Sequence, residues 1–209
     1  MTLLYLLLRN HGTEWGKFWL NILDGLVRYF IRYFHRAKLQ TIDLPEKGPA
    51  LVVCNHVSGL DPLLLIAASH RPLRFIIARE EYDRFLLRWV FRYADAIRVE
   101  RERHPERAVR QALRALRNGE VVMVFPHGKI HLDSEPPLKL KRGAVKLSQW
   151  SGAPIYPCRI EGVKGQGKTI LALFRRGNPV LVVKSPLVCG AETEQLCTDY
   201  LRSIIERVE

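Results

Sequence analysis

Residues 50–61 read ALVVCNHVSGLD, and the fold is decided here. Five apolar residues, Ala50–Cys54, form a short continuous run of the kind that fills a strand covered on both faces. The run stops at Asn55-His56. A turn follows, and Asp61-Pro62 opens a second apolar stretch, with Asp61 placed as helix N-cap and Pro62 as the first helical residue. Strand, tight turn and helix in this order are the opening of an α/β unit. The four residues between His56 and Asp61 bring the carboxylate back toward the imidazole. An aspartate on one ring nitrogen fixes the tautomer and stabilises imidazolium, leaving the other nitrogen to accept a proton from a hydroxyl. Taken alone, the same residues read as a capped turn with a hydrogen-bonded histidine.

Outward from this turn, apolar runs alternate with helical patterns. Strands are predicted over Leu39–Asp43, Ala50–Cys54, Leu73–Ala78, Ala96–Val99, Val121–Phe125, Pro154–Ile160, Thr169–Phe174 and Val180–Val183. Helices are predicted over Leu60–Ser69, Glu80–Tyr93, Pro105–Arg117, Lys141–Trp150 and Glu192–Val208. The expected fold class is α/β, with a mixed, largely parallel sheet flanked by helices. At 209 residues the chain is sized for one domain with a small appendage. We divide it into an N-terminal interfacial helical segment, 1–37, and a domain over 38–209. With 47% hydrophobic and 26% charged residues it is neither disordered nor fibrous.

The net charge is +12. Such a field attracts nucleic acid, an anionic membrane surface or phosphorylated substrates, and does not choose among them. Cys54, Cys158, Cys189 and Cys197 form no C-x-x-C pair, so reduced structural thiols are expected and no zinc site is written. Met1–Leu8 is apolar but short and lacks a basic leader, so a secretory signal is not expected. No apolar run is long enough to span a bilayer.

Phe18–Phe34 (FWLNILDGLVRYFIRYF) carries six aromatics in 17 residues. Asp24, Arg28 and Arg32 are spaced by four and share one helical stripe, leaving a wide apolar face. An amphipathic helix lying in a membrane interface fits this composition; a helix packed on its own domain is the alternative. Gly162–Thr169 (GVKGQGKT) has the spacing of a phosphate-binding P-loop. A P-loop needs a helix whose N-terminus faces the phosphates, and TILALF followed by Arg175-Arg176-Gly177-Asn178-Pro179 leaves one short strand or two helical turns at most. A glycine-rich turn between two strands is expected instead.

Four blocks in order give the sequence a wider likeness. Asn55-His56-x-x-x-x-Asp61, Ala96–Arg101 (AIRVER), Phe125-Pro126-His127-Gly128 and Ala153–Cys158 (APIYPC) resemble the four blocks of the glycerolipid acyltransferases, the family of 1-acylglycerol-3-phosphate acyltransferase. Lys141-Arg142-Gly143-Ala144 looks like the basic Gly-Ala segment between the last two. The likeness covers roughly residues 38–185. It implies that His56 deprotonates an acceptor hydroxyl with Asp61 orienting it. The acyl donor would be an acyl-CoA or acyl carrier protein thioester and the acceptor a lysophospholipid. Substrate-binding positions would be Asn55, Arg101, His127, Gly128, Lys129 and Arg142. The site would be at the cytoplasmic face of a membrane, peripheral or monotopic, with no metal, no bound cofactor and no nucleic acid as partner.

The third block departs from the family's F-P-E-G-T-R-S: Glu is His127, Thr is Lys129, Arg is Ile130 and Ser is His131. In the second block Asp95 replaces a leading glycine. These changes bear on the acceptor more than on the His56–Asp61 pair. They leave a different lyso-lipid, such as a lyso-aminolipid, as an alternative acceptor. Lys129, His127, His131 and Arg142 are the candidates to replace the lost positive charge. A non-catalytic basic protein binding anionic lipid or nucleic acid, and a hydrolase using His56 with water, are the competing functions.

Overall fold

A computed structural model describes residues 12–83, 88–100, 103–136 and 138–206. Seven strands form one sheet in the order β1-β7-β6-β2-β5-β3-β4: β1 (Lys38–Leu39), β2 (Ala50–Cys54), β3 (Leu73–Ala78), β4 (Ile97–Val99), β5 (Val121–Val124), β6 (Ile155–Glu161) and β7 (Val180–Val183). Every pairing is parallel except β6 with β7, so the sheet is mixed and mostly parallel, as expected.

Two layers of helix cover it. Val52 and Cys54 face a core shared with Leu64 and Leu65 of α2 (Asp61–Ala68) and with Ile31. Ile31 lies in a π-helical turn, Phe30–Phe34, that continues the N-terminal helix α1 (Phe18–Tyr29). Leu51 and Val53 face the opposite core, built on α5 (Pro105–Arg117), α6 (Gly143–Ser151) and α8 (Glu194–Ile205). Burial on both faces is the reason β2 reads as an unbroken apolar run rather than an alternating one.

From β2 the chain crosses through α2 to β3, on one side. From β5, the neighbour of β2, it crosses through α6 to β6, on the other. Adjacent strands whose connections leave in opposite directions open a crevice beyond their carboxyl ends, where α/β folds place their ligands. His56 follows β2 and His127 follows β5, so both sit at this crevice.

Several expectations are corrected. The first strand is two residues long, Lys38–Leu39, not five. The helix expected over Glu80–Tyr93 is two pieces, α3 (Arg79–Tyr82) and α4 (Arg88–Tyr93), flanking positions outside the described residues. Thr169–Phe174 is not a strand: Leu171–Phe174 is a single helical turn, α7. A six-residue apolar run suits either state, and burial of Ala172 against the α2 core fixes the helical one. The glycine-rich turn does connect two antiparallel strands, but these are β6 and β7. Cys189 and Cys197 are joined in a disulfide, against the expectation of four free thiols; Cys54 and Cys158 remain free and buried.

The charged stripe of α1 is divided: Asp24 and Arg28 face inward, while Arg32 is exposed. Asp24 is buried, and Arg28 donates Nε–H to its Oδ2 at 2.6 Å. The same guanidinium reaches the last carbonyls of α2, with Nη1 on Ala67 O at 2.8 Å and Nη2 on Ile66 O at 3.0 Å. A cation on the orphan carbonyls of a helix C-terminus satisfies them and complements the dipole. The aromatic face points outward, with Trp19 72% exposed and Phe18, Tyr29 and Tyr33 also exposed. Among the described residues no helix is long and apolar enough to cross a membrane.

Candidate active site

The turn after β2 is organised by one carboxylate. Asp61 is completely buried, and its Oδ2 accepts the backbone N–H groups of Val57 (2.7 Å) and Ser58 (2.8 Å). Its Oδ1 accepts the Ser58 hydroxyl at 2.6 Å. Asp61 is therefore not an N-cap. It is the first helical residue, with Leu60 in the capping place, and its side chain is turned back into the turn rather than along the helix.

Oδ2 of Asp61 also stands 2.8 Å from Nδ1 of His56. A carboxylate only accepts, so the ring proton lies on Nδ1 and Nε2 carries the lone pair. Phe125, at the end of β5, stacks on the imidazole with centroids 4.0 Å apart. The loop after β5 is tied to the same turn, His131 N–H donating to the His56 carbonyl at 2.8 Å. Ring position, tautomer and orientation are thus all held. Chemically, this arrangement has what a general base needs: a fixed ring with one nitrogen free to accept a proton and a carboxylate on the other.

Asn55 does structural work. Its side-chain oxygen accepts Ile160 N–H at 2.7 Å and its amide donates to Ile160 O at 2.9 Å, clamping the end of β2 to β6. The other positions divide. Gly128 and Lys129 line a cavity of about 190 Å³ together with His127, Leu138, Lys139 and Lys141. Gly128 has φ +71, the left-handed region that favours glycine, and a Cβ there would fall 2.9 Å from Lys141 Nζ.

His127 is buried and turned toward α8, its Nε2 3.2 Å from Glu206, and burial pushes its pKa below the ordinary histidine value. His131 pairs with Glu135 at 2.9 Å. Arg142 is directed away, to Glu194 of α8 at 3.4 Å. The structure therefore does not bring Arg142 to the cavity; Lys141, its neighbour in sequence, lies there instead. Arg101 lies outside the described residues. Asp95, in place of the family's glycine, has φ +52, which explains a glycine at that position and shows an aspartate tolerating it.

Sequence reasoning missed Ser58, Phe125 and the pair Lys139 and Lys141. Ser58 had a signal, standing between His56 and Asp61 in the turn. Lys141 had one in the basic Gly-Ala segment, where sequence reasoning picks Arg142 in its place; Lys139 had none beyond its charge, because the loop geometry that gathers them is not periodic. A larger cavity, about 350 Å³, opens at the opposite end of the sheet, where Arg74, Arg92 and Arg114 mix with Asp95 and Glu120. It is remote from the His56 turn.

Comparisons with known proteins identify the family and the fold. A family model described as Acyltransferase matches residues 36–161, more than half of the chain. The 1-acyl-sn-glycerol-3-phosphate acyltransferase of Bacillus subtilis (strain 168) is 26% identical over 146 residues, which cover 69% of this chain and 70% of that protein. A probable 1-acyl-sn-glycerol-3-phosphate acyltransferase of Mycoplasma genitalium is 32% identical over 155 residues, covering 69% of this chain but only 57% of that protein. The crystal structure of the 1-acyl-sn-glycerophosphate (LPA) acyltransferase PlsC from Thermotoga maritima superposes with a TM-score of 0.69 at 21% identity, covering 93% of this chain and 80% of that one, and shares the fold. Its blocks in order, its sheet and the family match over residues 36–161 together establish that this chain belongs to the acyltransferase family of enzymes.

Proposed function

We propose that the protein transfers a fatty acyl group from an acyl-CoA or acyl carrier protein thioester to the hydroxyl of a lysophospholipid, 1-acylglycerol-3-phosphate first among them, in phospholipid biosynthesis. The observation that carries this reading is the 2.8 Å contact between His56 Nδ1 and the buried Asp61 carboxylate. His56 Nε2 takes the proton of the acceptor hydroxyl as its oxygen bonds to the thioester carbonyl carbon. The C–S bond then breaks, and the sulfur leaves as thiol with the proton carried by the imidazolium. Asp61 stabilises that imidazolium without itself being protonated.

The acceptor's phosphate is assigned to the cavity at Gly128, where Lys129, Lys139 and Lys141 supply positive charge that Ile130 does not. The exposed aromatic face of α1 supports attachment to a membrane surface, which the proposal takes to be the cytoplasmic one, where such an acceptor is dissolved. The altered third block favours a second reading within the same chemistry, in which another lyso-lipid is the acceptor.

The test is thiol release from palmitoyl-CoA and from acyl-ACP by purified protein in detergent. It is run without acceptor, with lysophosphatidate and with a panel of other lyso-lipids, beside His56→Ala. Lysophosphatidate-dependent release that disappears in His56→Ala is expected. Release only with another acceptor selects the second reading, acceptor-free release selects a hydrolase, and no release with any acceptor defeats the proposal. Lys129→Ala is expected to raise the acceptor KM; an unchanged KM removes Lys129 as a phosphate ligand.

A further inference from the structure

The glycine-rich segment with P-loop spacing serves no nucleotide: α7 beyond it is a single turn. It is nonetheless a built structure. Leaving β6, it crosses the His56 turn, where Gly167 N–H donates to Val57 O at 2.9 Å and the Thr169 carbonyl packs so closely on Gly59 that no Cβ fits there. Val163 and Ala172 anchor its inner side in the core.

Its outer side is different. Ile170 is 61% exposed and Phe174 74% exposed, and the two are four residues apart on one side of the turn. Between Gly162 and Val183 there are four cations, Lys164, Lys168, Arg175 and Arg176, and no acid. Large apolar side chains in water are unfavourable, and an apolar tip with a basic collar is the composition of a segment that enters an anionic lipid interface. The tip lies on the α1 side of the sheet. His35, at the end of the π-helical turn after α1, donates Nε2–H to Leu173 O at 3.2 Å, joining the loop to the base of the aromatic helix.

We propose that residues 162–176 form a second lipid-contact element. Ile170 and Phe174 enter the acyl–headgroup boundary, and Lys164, Lys168, Arg175 and Arg176 engage anionic head groups. The proposal rests on the reading of α1 as membrane-facing and extends that face across the His56 turn. An apolar aliphatic tip at Ile170 favours lipid over nucleic acid, which would offer it no apolar slab.

The experiment uses the full chain and vesicles of phosphatidylcholine, with and without roughly a third phosphatidylglycerol. An environment-sensitive fluorophore is attached, without prior reduction of the Cys189–Cys197 disulfide, at Phe174→Cys, at Trp19→Cys on α1, and at Trp150→Cys, exposed on α6 across the sheet. Cys54 and Cys158 are buried and do not compete for label in the folded protein. Expected is a blue shift at positions 174 and 19 with anionic vesicles and none at 150. Lys164→Gln with Lys168→Gln is expected to weaken binding to anionic vesicles by about thirtyfold and to leave neutral vesicles unchanged. A shift at 19 without one at 174 overturns the loop proposal while leaving the reading of α1 intact. No vesicle binding and no shift at either position overturns both.

Discussion

Asp61→Asn separates the charge of the buried aspartate from its geometry. The carboxylate accepts four hydrogen bonds, three of them on Oδ2: from Val57 N–H, Ser58 N–H and His56 Nδ1–H. An asparagine oxygen in the Oδ2 position keeps those three. Its amide nitrogen then faces Ser58 Oγ, whose hydroxyl can rotate to accept. Two backbone donors hold the amide in this orientation, so the tautomer of His56 is preserved and only the negative charge is lost. A unit charge about 4 Å from the imidazolium centre is worth about 4 kcal/mol at an effective dielectric of 20. That corresponds to a loss of roughly 10³-fold in kcat. Stability should fall by about 1–3 kcal/mol as charged hydrogen bonds become neutral ones, against roughly 3–6 kcal/mol for Asp61→Ala, which orphans buried donors. The assays are acceptor-dependent thiol release and urea unfolding of the same preparations. If Asp61→Asn turns over within tenfold of the parent, the carboxylate does not stabilise a charged imidazole. If it unfolds as readily as Asp61→Ala, the assumed amide orientation is wrong.

Three other outcomes follow from the packing. Arg28→Met leaves Asp24 buried without its cation and should cost about 3–5 kcal/mol in urea unfolding, with Asp24→Asn in the same chain recovering part of the loss. Gly59→Ala places a Cβ against the Thr169 carbonyl, so the loop must move off the turn; a loss of about 1–3 kcal/mol and a lower kcat are expected, measured by thermal unfolding and thiol release. Burial holds His35 and His127 below the ordinary histidine pKa, so the unfolded chain binds protons first as pH falls. Stability should be level above about pH 7 and fall below about pH 6.5, and His35→Gln should flatten that acid limb in urea titrations across pH.

What the sequence discloses here depends on range. The His56–Asp61 turn is local, so spacing alone brings the two side chains together, and β2, β3, β7 and α5 are found at their expected residues. The identity of the loop cations is not local. Arg142 reads as a site residue by position, yet Glu194 on a helix fifty residues later takes it away, and Lys141 is left at the cavity. The stripe on α1 illustrates a subtler limit. Spacing by four correctly places Asp24 and Arg28 on one face, but amphipathicity does not say which face meets the protein. Here the polar face does, because the ends of α2 offer carbonyls that only a donor can satisfy. Arg159 is illegible for the same reason: buried in β6, it donates to the carbonyls of Ile204 and Ile205 and pairs with Asp133 and Glu161, partners scattered along the chain.

Helix α2 has eight residues, about 12 Å at 1.5 Å per residue. Its first residue is the aspartate that steadies His56, and its last carbonyls rest on Arg28 of α1. The two ends of one stiff rod thus join the reactive nitrogen to the aromatic helix. On the proposed seating of α1 against a bilayer, that rod, with the loops tied to the His56 turn, would set the height of His56 above the lipid. An acceptor hydroxyl would then be selected by how far its head group lifts it, measured against a ruler two turns long.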